Sequence, residues 1–81
     1  MASRAFGIRL SSSDGRARYD YGIDEQDPER GVLVIPATDP DAWFIEGRGD
    51  RPRMASAVMA TAYREFQRTG EWPANASVFT G

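Results

Sequence analysis

The groups in this 81-residue chain that could do chemistry are carboxylates, guanidiniums, hydroxyls and phenols, because all ten basic residues are arginine and histidine and cysteine are absent. That inventory removes the thiolate nucleophile and the zinc–thiolate site. It removes the imidazole base and metal ligand, and with them the lysine of a Schiff base or a phosphate loop. Carboxylate pairs could still do acid–base work, but no two acids fall on neighbouring rigid elements, so the chain is not read as an enzyme. No metal ion and no cofactor is expected.

Asp20, Asp24, Glu25, Asp27 and Glu29 form the densest acidic cluster. Hard cations want several carboxylate oxygens, yet this spacing departs from the known calcium loop, which needs ligands at alternate positions and a central glycine. The cluster reads first as a solvated loop. Its second reading is an acidic surface that blocks a basic site on an enzyme, as an inhibitor or immunity-type protein does.

Two groups of arginines stand out. Arg48-Gly49-Asp50-Arg51-Pro52-Arg53 places three of them before a predicted helix, where guanidiniums and backbone N–H groups could hold a phosphate or carboxylate. The plainer reading is a charged turn. Arg9, Arg16 and Arg18 alternate out of phase with Phe6, Ile8, Tyr19 and Tyr21 and are expected on one sheet face. Arginines interleaved with aromatic rings on a sheet can bind single-stranded nucleic acid. A net charge of −2 and the interruption by Asp20 argue against that use here. Charge also runs in blocks: residues 1–19 and 47–68 are basic, and residues 20–46 carry eight acids against one arginine. Such blocks either meet and neutralise within the fold or orient a charged partner.

The elements that must position these groups follow from periodicity. Phe6, Ile8 and Leu10 alternate with smaller or polar residues, as do Ala17, Tyr19, Tyr21 and Ile23, and Asp14-Gly15 between them is a turn signal. This predicts a hairpin over 1–23 with these apolar residues sharing one face. Asp24 to Gly31 is a polar loop. Val32-Leu33-Val34-Ile35 and Trp43-Phe44-Ile45 are apolar on both faces and predict a second hairpin over 32–46. Ala55, Val58, Met59, Ala62, Tyr63 and Phe66 recur at helical spacing over 51–69, with Asp50 as expected N-cap and Gly70 as C-cap. Residues 70–81 form an extended tail whose Trp72, Val78 and Phe79 are expected to return over the core.

The fold class expected is α+β: one domain over 1–81, with an antiparallel four-stranded sheet of two hairpins and one C-terminal amphipathic helix on one face. A single helix covers about two strands well, since helix axes pack ~8–10 Å apart and strands lie ~4.8 Å apart. Unless the tail covers it, the second face near Leu33, Ile35 and Phe44 is left as an apolar patch of the size that marks an interaction site. The expected function is therefore a small non-enzymatic interaction module, an accessory or adaptor protein. It dimerises or docks on a protein partner through Leu33, Ile35 and Phe44, with Arg9, Arg16, Arg18 and the loop of Asp24, Glu25, Asp27 and Glu29 as an orienting rim. The acidic inhibitor is the alternative. Neither nucleic acid nor membrane is expected as a partner, and the N-terminus lacks the apolar run of a signal peptide, so a cytoplasmic location is expected.

Overall fold

The computed structural model describes residues 3–13, 15–24, 26–28 and 30–80, with the backbone alone for Ser3, Phe79 and Thr80. The alternating N-terminal runs become β1 (Ser3–Ser11) and β2 (Arg16–Gly22), joined through Gly15 at φ 73°. The apolar run becomes β3 (Gly31–Pro36), followed by β4 (Phe44–Ile45) and the helix α1 (Arg53–Thr69). The four-stranded antiparallel sheet with one C-terminal helix packed on it is present. The tail adds a fifth strand, β5 (Val78–Thr80), antiparallel to β1, so the order is β4-β3-β2-β1-β5.

Two boundaries differ from the sequence expectation. Trp43 stands outside β4: a single 3-10 turn over Pro40–Ala42 delivers it, buried, beneath the Arg51 guanidinium, which lies 4.7 Å from its ring centroid. Nor does Asp50 cap the helix. Pro52 is the N-cap, and the Asp50 carboxylate is held by Arg48 through two hydrogen bonds of 2.9 and 2.6 Å. Those bonds pull the Asp50 carboxyl below its ordinary pKa. At the other end Gly70 adopts the left-handed cap conformation at φ 81°, and its N–H donates to the Phe66 carbonyl.

The helical stripe packs as its spacing predicts. Ala55, Val58 and Ala62 are buried against the sheet, with Met54, Met59, Tyr63 and Phe66 at the margins. The sheet side of this contact differs from expectation. In β1 the buried residues are Ala5 and Gly7, Phe6 and Ile8 take the opposite parity, and Leu10 is exposed at the register shift between Arg9 and Ser11. Gly7 pairs with Tyr21 and Arg9 with Tyr19, so the small and polar parity of β1 joins the tyrosine parity of β2 beneath the helix. The reason is steric. A methyl group on Gly7 would sit 2.5 Å from Val58 Cγ1 and 3.3 Å from the Ala76 carbonyl oxygen. The helix rests where β1 has no side chain, and an isoleucine at that position would push it away.

The tail is laced to β1 and β2. Ala76 N–H donates to the Gly7 carbonyl at 2.8 Å and Arg9 N–H to the Ala74 carbonyl at 2.9 Å. Arg9 Nη1 donates to the Trp72 carbonyl at 2.6 Å, and the Tyr19 hydroxyl donates to the Pro73 carbonyl at 2.6 Å. Trp72 itself stacks on Phe66, with ring centroids 4.3 Å apart. Trp72 thus returns over the helix end of the core, as expected, and Val78 packs at the margin of that same core. The side chain of Phe79 lies outside the described residues.

Two measurements test this arrangement. Gly7→Ala should lose about 1–3 kcal/mol in denaturant unfolding, because Val58 is β-branched and has little rotamer freedom to yield. An unchanged midpoint would mean the helix does not bear on β1. Burial pushes the Tyr19 phenol up to about 12. A raised folded-state pKa favours the protonated fold, so its contribution is complete below the unfolded value near 10 and is lost as pH rises toward 12. Stability measured between those values should therefore fall by roughly 2 kcal/mol more in the parent than in Tyr19→Phe.

Candidate functional site

The face of the sheet away from α1 is assembled by register. Ile8 pairs with Asp20 and Asp20 with Val32; Arg18 pairs with Val34 and Val34 with Phe44; Phe6 pairs with Gly22. No element among the described residues lies across this face. Among the described residues the exposed large apolar side chains are Ile8 at 44%, Ile23 at 51%, Leu10 at 56% and Phe44 at 40%. Val34 on this side is sealed. It is fully buried between Arg18 and Phe44, and the Arg18–Glu46 ion pair at 3.8 Å spans the strand that carries it.

Of the residues read as a docking surface, Phe44 lies on this face, but Leu33 and Ile35 do not. Both are completely buried under the helix, in register with Tyr19 and Ala17. A strand apolar on both sides does not announce which parity goes inward. Here Leu33 and Ile35 continue the tyrosine parity of β2, and Val32 and Val34 take the open side. The orienting rim divides in the same way. Arg16 and Arg18 are on the open face, whereas Arg9 is on the helix side, bonded to the tail. The three arginines do not form one row.

The acidic loop spends carboxylates on its own backbone. Asp24 Oδ1 accepts from Gln26 N–H and Asp27 Oδ2 accepts from Ile23 N–H, both at 2.9 Å. Glu25 and Glu29 lie outside the described residues. Among the described residues no group of three acids converges as a metal site. The helix entrance is likewise divided: Arg48 is committed to Asp50, and Arg51 lies over Trp43 and donates to the Asp41 carbonyl.

Side chains missed by sequence reading complete the open face. Arg30 lies 5.5 Å from the Phe6 ring centroid and pairs with Asp20 at 2.7 Å. Around this cluster is a shallow hollow of about 550 Å³, lined by Arg4, Phe6, Ile8, Ile23 and Asp24 among others. An adjoining, more apolar socket of about 220 Å³ is shared by Arg4, Phe6, Ile23 and Val78. At the far end of β2 a polar bowl of about 240 Å³ is lined by Ser11, Ser13, Arg16 and Arg18. The signal that could have found the open parity is the match of small residues, Ala5, Gly7 and Ala17 in the sheet against Ala55 and Ala62 in the helix.

These features define a small two-layer α+β domain, one layer an antiparallel sheet with a bare mixed apolar and charged face. Comparison with family models, with curated proteins and with solved structures finds no match to the chain. No helix among the described residues is long and apolar enough to cross a membrane.

The two faces respond differently to the same substitution. Leu33→Asp buries an unpaired carboxylate in the core and should abolish the cooperative melt. Phe44→Asp sits at a partly exposed edge and should keep the helical circular dichroism signal, with a loss of about 1–2 kcal/mol from uncovering Val34. Equal damage from both would place Phe44 in the core.

Proposed function

We propose that the chain is a small non-enzymatic protein-interaction module whose uncovered sheet face pairs with a second copy. The observation that carries this reading is the presence of Ile8, Ile23 and Phe44, each at least two-fifths exposed, on one face that no described element crosses. Exposed apolar surface gathered on one side, rather than scattered singly, marks an interaction site.

Two features support a like partner. The molecule measures 33 × 27 × 19 Å, and its broad outline matches the ~800 Å² that each partner contributes to a standard interface. The charges on and around the face are also nearly balanced: Arg4, Arg16, Arg18 and Arg30 against Asp20, Asp24 and Glu46. A second copy therefore meets little net repulsion, whereas a polyanion would be opposed by these three carboxylates. The acidic-inhibitor reading gains nothing from Asp24 and Asp27, which serve their own loop.

Sedimentation equilibrium tests the pairing. The mass should rise toward twice that of the chain with increasing concentration, and Ile8→Lys should weaken association about tenfold or more while leaving the melt in place. Because the contact is mainly apolar, about 1 M salt should not dissociate it. A chain monomeric at every concentration would refute self-pairing and leave the face to a different protein. Steep dissociation by salt would refute an apolar dock.

A further inference from the structure

The polar bowl lies at the β1–β2 turn end of the open face, away from Ile8 and Ile23, and its construction is specific. β1 and β2 shift register between Arg9 and Ser11, so that Ser11 comes opposite Arg18. An irregularity of this kind bends the strand and re-aims its side chains. The turn beyond is fixed at two points: Arg16 N–H donates to the Ser13 carbonyl at 3.1 Å, and Ala37 N–H donates to the Gly15 carbonyl at 2.8 Å. Ser11, Ser13, Arg16 and Arg18 therefore wall a concavity of about 240 Å³. Arg16 and Arg18 are two residues apart on one strand and so project from the same face, about 7 Å apart along the chain.

The charge in the bowl is largely uncompensated. Arg30, Arg48 and Arg68 each hold a carboxylate at 2.6–2.7 Å. Arg18 reaches Glu46 only at 3.8 Å, and both side chains are nearly half exposed. Arg16 has no carboxylate partner among the described residues. Two guanidinium forks and two hydroxyls line one hollow, with Glu46 the one carboxylate paired to them among the described residues, and a guanidinium fork matches the geometry of phosphate oxygens.

We infer that this bowl binds a phosphate monoester, with Arg16 and Arg18 bracketing its oxygens and the Ser11 and Ser13 hydroxyls donating to them. The inference does not rest on self-pairing of the apolar face. The hollow is large enough to seat one phosphoryl group.

Titration of the ¹⁵N-labelled chain, followed by amide chemical shifts, tests it with inorganic phosphate, O-phosphoserine and a single-stranded oligonucleotide, each at matched ionic strength. Phosphate and phosphoserine should move the amides of Ser11, Ser13, Arg16 and Arg18 along saturating curves in the millimolar range. Arg16→Gln and Arg18→Gln, both at exposed positions, should each weaken the response about tenfold. Ile8→Lys should leave it unchanged, which separates this site from the apolar face. Shifts that chloride reproduces at equal ionic strength, or that survive both arginine substitutions, would overturn the proposal. Oligonucleotide binding tighter than phosphoserine through the same amides would reassign the bowl to nucleic acid.

Discussion

The fold turns on the contact between Val58 and Gly7. A helix can settle closely on a sheet only where the sheet offers low relief, and in β1 that relief exists on one parity alone, at Ala5 and Gly7. Once the helix occupies that side, each larger neighbour in β1 is turned outward. Register then carries the decision across the sheet: Tyr19 and Tyr21 follow Arg9 and Gly7 inward, Leu33 and Ile35 follow the tyrosines, and Asp20, Val32 and Val34 face out with Ile8. A single hydrogen atom where other residues carry a side chain thus selects which apolar residues are core and which are surface.

This explains what could be read in the sequence and what could not. Period-two alternation located β1 and β2, a β-branched run located β3, and the 3.6-residue stripe with its glycine cap located α1. Alternation identifies two sets of residues without saying which set is buried, and the larger side chains of β1 were the natural choice for the interior. That choice failed because burial here is limited by helix–sheet distance more than by hydrophobicity: Phe6, Ile8 and Leu10 are apolar enough to be core and too large to fit beneath Val58. Arg9 was misplaced for the same reason, as were Leu33 and Ile35. Arg30, positioned by a polar loop without period, gave no signal of its place beside Phe6.

The all-arginine composition has a structural counterpart. Several guanidiniums do work that a compact ammonium could not do as well. Arg9 reaches across to the Trp72 carbonyl, Arg51 lies over Trp43, and Arg48 and Arg68 grip carboxylates with more than one bond. Arg9 ties the tail to the sheet, Arg51 ties the helix entrance to the turn before β4, and the other two brace their own loop and helix end. Arg9, Arg30, Arg48, Arg51 and Arg68 are thereby occupied, whereas Arg16 in the bowl at the β1–β2 end has no carboxylate partner among the described residues.

The pairing of Ser3–Ala5 with Val78–Thr80 brings together the two most distant portions of the described chain. Closing so large a loop carries the greatest entropic penalty of any contact in the sheet, and it grows only slowly with length once the intervening hairpins have formed. The natural sequence of events is local zippering first, with the outermost ribbon added last. The bonds from Tyr19 and Arg9 to the segment before β5 then act as a latch that holds the final strand in place.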